Sequence, residues 1–143
     1  MADIVRRIEY YYTVVPNRPG AGAKVLDAFK AEGVYLVAFN GFPCSTRRVQ
    51  LDFVPFDRDA FIRAAQKAGI KLVGPKEAFL IQGEDRVGAI ADVLSKLGEA
   101  KINVTAMQAV ATGAARYGAI LWVKPRNIGR TVQILGVDER RRP

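Results

Sequence analysis

The polar chemistry of this 143-residue chain gathers in two short stretches, Asn17-Arg18-Pro19-Gly20 and Asp85-Arg86-Val87-Gly88, 68 positions apart. Each sits where a strand-like run ends and a helix-like run begins. The first N–H groups of a helix have no partner inside it, and the aligned peptide dipoles favour negative charge there, so a carboxylate fits such a joint. Gly20 lets backbone approach a ligand closely, and Pro19 forfeits no needed hydrogen bond near a helix start. Asn17 offers donors and an acceptor, so it can serve a carboxylate and an ammonium group together. An amino acid needs that combination.

The rest of the composition removes other chemistries. There is no histidine, which excludes Ser-His-Asp and Cys-His catalysis and every His-based metal site. Cys44 is the only cysteine, so neither an internal disulfide nor a thiolate zinc cage can form. With no base beside it, Cys44 reads as an inert thiol. No catalytic residue, metal or cofactor is expected, and the chain reads as a non-enzyme. No apolar run reaches the ~18 residues of a membrane span, and the N-terminus lacks a secretory pattern; a cytoplasmic protein is expected. The net charge of +8 invites a nucleic-acid partner, but it is evenly spread: residues 1–75 and residues 76–143 each carry 11 basic and 7 acidic side chains. The one dense cluster, Arg140-Arg141-Arg142, reads as a solvated tail.

The elements that must position the two joints follow from patterning. Ile8–Val15, rich in aromatic and β-branched residues, reads as a strand. Ala21–Glu32 has Val25, Leu26 and Phe29 at helical spacing, with Gly33 as its stop. Val34–Phe39 is a second strand and Gly41–Thr46 a loop. Arg48–Val54 alternates as a half-buried strand. Asp57 is an N-cap for a helix over Arg58–Ala68, and Ile70–Val73 is a short strand closed by Gly74-Pro75. The order β-α-β-β-α-β then restarts. Glu77–Gln82 is a strand, and Asp85 is read as the cap of a helix with Ile90, Val93, Leu94 and Leu97. Ile102–Met107 is a strand running toward Thr112. Tyr117–Val123 is the next, with Trp122 read as core or interface, and Ile128–Leu135 is a short helix. After Gly136 no good candidate for a last strand remains, so that edge is shorter or is filled from elsewhere. At the constant offset of 68, Gly20 falls on Gly88, Val25 on Val93, Leu26 on Leu94 and Val34 on Ile102. An internal repeat constrains the fold more firmly than propensity does.

The joint and the repeat together resemble the ACT domain, a ferredoxin-like module, over about residues 8–75 and 77–136. Asn17-Arg18-Pro19-Gly20 is similar to the Asx-basic-Pro-Gly turn between the first strand and first helix of many ACT domains. Asp85-Arg86-Val87-Gly88 is a weaker copy, with Val87 where proline is usual. Gly33–Leu36 and Lys101–Val104 resemble the entry into the second strand. The resemblance implies an α+β fold of two ferredoxin-like repeats, 8–75 and 76–137, with a basic tail at 138–143 and antiparallel sheets packed on helices. It also implies a free-standing tandem ACT protein that regulates by binding a small ligand, commonly an amino acid, at the interface between modules. A homodimer and a regulated enzyme partner are expected, with no membrane and no nucleic acid. The implied ligand-binding residues are Asn17, Arg18, Pro19 and Gly20 with Asn103 as the working set, and Asp85, Arg86, Val87 and Gly88 with Tyr35 as the degenerate set.

Two alternatives share the element order. RNA-recognition domains carry a basic-Gly-aromatic-Gly-aromatic pattern on a central strand, which Arg47–Phe53 does not supply. Acylphosphatase-type enzymes cradle phosphate with an arginine in the first turn; Arg18 is there, but the long Gly-rich loop leading to it is not.

Overall fold

The computed structural model describes residues 3–137. The elements are β1 (Ile4–Pro16), α1 (Ala21–Ala31), β2 (Leu36–Pro43), β3 (Arg48–Pro55), α2 (Arg58–Ala68), β4 (Val73–Glu84), α3 (Ala89–Glu99), β5 (Val104–Gly113), β6 (Arg116–Val123), a 3-10 turn (Pro125–Asn127) and α4 (Ile128–Leu135). The chain divides into two compact units. The first is Glu9–Lys76; the second joins the segment before it to the segment from Glu77 onward. The tail at 138–143 lies outside the described residues.

In the first unit the strand order is β2-β3-β1-β4, with β3 antiparallel to both β1 (Tyr11 opposite Phe53) and β2 (Phe39 opposite Phe53). Its core is Tyr11, Phe29, Leu51, Phe53, Phe61, Ala64 and Ala65. Phe29 stacks on Phe61 with ring centroids 4.6 Å apart. The small side chains of Ala64 and Ala65, 3% and 1% exposed, let α2 lie close to the sheet. As the sequence indicates, Asp57 caps α2, its carboxylate accepting from the Ala60 N–H at 3.1 Å.

In the second unit the order is β1-β4-β6-β5, with β6 antiparallel to β4 and β5. Phe79, Ile81, Val93, Leu97, Tyr117, Leu121 and Ile128 form its core, and Val5 belongs to it. The missing last strand of the second repeat is therefore filled from elsewhere: Ile4–Ile8 of β1 occupies that position. Arg7 pairs with Glu77, and a side chain on Gly83 would strike the Asp3 carboxylate. Arg7 thus lies beside Glu77 and Asp3 beside Gly83 where the donated segment adjoins β4.

Several boundaries differ from the sequence reading. β1 begins at Ile4 rather than Ile8, because its first residues serve the second unit. β2 extends through Gly41–Pro43, which reads as loop, since pairing with Val49–Leu51 continues that far. Ile70–Leu72 is not a strand, and β4 runs unbroken from Val73 through Gly74-Pro75. At Gly74 a Cβ would lie 2.9 Å from the Tyr10 carbonyl oxygen, so glycine here permits close approach of β1 rather than ending a strand. Val34, Tyr35, Ile102 and Asn103 precede their strands instead of lying in them.

Candidate functional site

The two joints are built alike down to single hydrogen bonds. Gly20 and Gly88 are the N-caps of α1 and α3, both left-handed with φ 84° and 83°, and neither helix has a side-chain cap. A left-handed residue at this point turns the chain sharply into the helix, which only glycine does without strain. The Lys24 N–H donates to the Gly20 carbonyl at 3.0 Å, and the Asp92 N–H to the Gly88 carbonyl at 2.9 Å. Asn17 and Asp85 are stitched to the hairpin that follows in each repeat: their N–H groups donate to Arg47 O at 2.8 Å and Ala115 O at 2.9 Å. The expectation that Asp85 caps its helix is thus corrected. It lies three residues before the cap, and its carboxylate has no hydrogen bond or ion pair among the described residues.

The joints differ in what surrounds them. In the first unit Asn17 Nδ2 donates to Thr46 O at 3.3 Å, and the first turn of α1 carries Lys24 and no acid. In the second unit Asp92 stands where Lys24 does, and the Arg86 guanidinium is gripped. Nη1 donates to Asp3 Oδ1 at 3.1 Å and to the Glu84 carbonyl at 3.3 Å; Nη2 reaches Asp3 Oδ2 at 3.5 Å and Asp92 Oδ2 at 3.3 Å.

Beside Arg86 an open cavity of about 350 Å³ lies between the start of α3 and the far end of β5. Asp85, Arg86 and Gly88 form its polar side, Ala109, Val110 and Ala111 its apolar side, and Tyr117 also lines it. Tyr117 is 5% exposed, and among the described residues its hydroxyl makes no hydrogen bond of ordinary geometry, although the Asp3 carboxylate lies near it. Burial above all, and then the Asp3 carboxylate beside it, push its pKa up to about 12 against the opposing pull of Arg86. The hydroxyl therefore remains a donor at neutral pH. A buried donor without a partner is costly unless a water or ligand meets it. Tyr117 is the residue the sequence reading of the site missed; alternation along β6 indicates its burial, but nothing local marks its hydroxyl.

Of the residues singled out from sequence, the cavity gathers Asp85, Arg86 and Gly88. Val87 is fully exposed. Asn17, Arg18, Pro19, Gly20 and Tyr35 belong to the first unit, and Asn103 to the second. Tyr35 and Asn103 hold equivalent places, each just beyond the C-terminal end of its unit's first helix. Tyr35 is 69% exposed, packs edge-on against Phe56 at 5.9 Å, and lines an open cleft with Leu26, Phe29 and Lys30. Among the described residues no group of three or more His, Cys, Asp or Glu side chains is placed to hold a metal ion, and no helix is long and apolar enough to cross a membrane.

No family model matches this sequence, and no curated protein matches it significantly. Solved structures do. A protein from Bacteroides thetaiotaomicron superposes with TM-score 0.78 at 16% identity, covering 94% of this chain and 88% of that one. The ligand-free regulatory subunit of aspartate kinase from Thermus thermophilus gives 0.63 at 16% identity, covering 95% of each chain. The corresponding subunit from Thermus flavus gives 0.60, also at 16% identity with 95% of each chain covered. The fold is ACT-like. At these identities the likeness establishes the α+β architecture of ferredoxin-like repeats that the sequence resemblance implies.

Proposed function

We propose that this chain is a regulatory protein that binds a small amino acid in the cavity between the start of α3 and the end of β5. The observation that carries the reading is the buried Tyr117 hydroxyl, without a well-formed hydrogen bond among the described residues, at a cavity beside a helix start with no side-chain cap. The α3 N-terminus, Tyr117 and Arg86 suit the ligand carboxylate, and the Asp85 carboxylate, unpaired among the described residues, suits its ammonium group. Ala109, Val110 and Ala111 favour a small aliphatic side chain over a charged one. Likeness to regulatory subunits of aspartate kinase supports a role in controlling an enzyme partner.

A second copy of the chain is the proposed assembly partner. β5 is an edge strand of ten residues with no charged residue and no proline, and most of it is exposed. Such an edge lacks the usual devices against pairing. A homodimer through this edge would also wall the cavity. Val110→Lys is then expected to give a monomer by sedimentation.

The functional reading is tested by thermal shift with each amino acid beside a short RNA. A ligand at ~100 times its Kd adds about 2.7 kcal/mol to stability. A shift with a neutral aliphatic amino acid, lost in Ala109→Trp, supports the reading. A shift with RNA and none with any amino acid overturns it.

A further inference from the structure

Arg86 is the cationic side chain on the cavity wall, yet its terminal donors are spent. A guanidinium has two N–H groups on each terminal nitrogen. Those of Nη1 go to Asp3 and the Glu84 carbonyl, and those of Nη2 face Asp3 and Asp92. Asp3 thus presents both carboxylate oxygens to one guanidinium, the geometry by which arginine recognises a free carboxylate. The Asp3 side chain is only 13% exposed, against 64% for Asp92, so Asp3 is the closely held partner. The strand beneath is shaped for it: a Cβ on Gly83 would overlap the Asp3 carboxylate and come within 2.7 Å of the Tyr117 ring. Asp3 leads directly into Ile4–Ile8, the segment that completes the second unit's sheet.

We propose that Asp3 is an internal carboxylate ligand of the second joint: a free carboxylate reaches Arg86 by displacing it, so ligand binding and seating of the N-terminal segment oppose each other. The inference deepens the ligand reading above and rests on it for the identity of the site. It adds that the site is self-occupied, and that the consequence of binding is release of the start of β1. A carboxylate entering from the cavity meets the Tyr117 donor and the α3 N–H groups first. It gains Arg86 only by exchanging one carboxylate for another at the same donors. Removing the Asp3 charge weakens the internal competitor for those donors without altering the cavity wall.

The test uses the full chain, its Asp3→Asn variant and the Asp3→Asn/Arg86→Gln double variant, with sodium acetate as probe against sodium chloride at equal ionic strength. Amide hydrogen exchange reads Ile4–Ile8 and the first turn of α3 separately. Without acetate, Asp3→Asn is expected to exchange about fivefold faster at Ile4–Ile8 than the parent chain. Acetate should bind Asp3→Asn about fivefold more tightly than the parent and not bind the double variant. In the parent it should speed exchange at Ile4–Ile8 while slowing it at the start of α3. Unchanged exchange at Ile4–Ile8 in Asp3→Asn, equal acetate affinity in parent and variant, or acetate binding to neither overturns the proposal. An amino-acid panel that fails on the parent while acetate binds Asp3→Asn would reject the amino-acid reading and leave the displacement standing.

Discussion

Val5 lies at the start of the chain but is 5% exposed in the core of the second unit, with Phe79, Ile81 and Leu97. Val5→Ala removes two buried carbons. At about 0.8 kcal/mol per buried CH2 that is about 1.6 kcal/mol, and incomplete collapse of the space left behind brings the loss to about 2 kcal/mol. The location of the effect matters as much as its size. Urea unfolding should show the lowered midpoint, and hydrogen exchange should show faster opening at Ile81 and Leu97, more than sixty residues away in sequence, and little change at Phe29 and Phe61 of the first unit. A loss below about 0.5 kcal/mol, the range of ordinary surface substitutions, would mean that the N-terminal segment is not a working strand of that unit. So would faster exchange confined to the first unit.

Two further perturbations follow from local geometry. Ala114 and Ala115 form the β5–β6 hairpin turn with φ 51° and 56°, a left-handed pair that suits Asn-Gly and costs alanine about 1 kcal/mol per residue. The double substitution Ala114→Asn/Ala115→Gly should raise stability by about 1–2 kcal/mol in urea melts; an unchanged midpoint would contradict the turn assignment. Asp52 is 5% exposed, and burial raises its pKa above the ordinary 3.8 against the opposing effects of Gln50 and Lys76. A raised folded value means the folded state favours the protonated form, so stability falls as pH rises from 3.8 through that value. Asp52→Asn should therefore be the more stable chain at pH 7, with its advantage fading as pH falls through the raised value and gone below 3.8; a less stable variant at pH 7 would contradict burial as the cause of the shift.

What the sequence made legible was mostly local. Asp57 followed by Phe61, Ala64 and Ala65 marks α2 from its cap inward, and the offset of 68 persists into the hydrogen bonds of Asn17 and Asp85 to their hairpins. What it hid was long-range. The charges at Asp3, Arg6 and Arg7 obscure the alternation of Ile4–Ile8, whose partner strand lies some seventy residues on. Gly74-Pro75 has the composition of a break, and only the nearness of Tyr10 explains why the strand continues. Asp85 has the chemistry of a cap, but the left-handed Gly88 moves the helix start beyond its reach. Neither the grip of Asp3 on Arg86 nor the buried hydroxyl of Tyr117 has a local signature, because each depends on strands brought together by the fold.

Occupation of the cavity between the start of α3 and the end of β5 by an amino acid is the core of the proposed function. Its most direct test is an amide-resolved NMR titration of the full chain with neutral aliphatic amino acids. Saturable shifts are expected at Gly88–Ala91 and Ala109–Ala111 for at least one of them, with the Tyr117 ring resonances moving in step. Titrations that saturate only at residues outside this cavity, or that saturate nowhere, would contradict it.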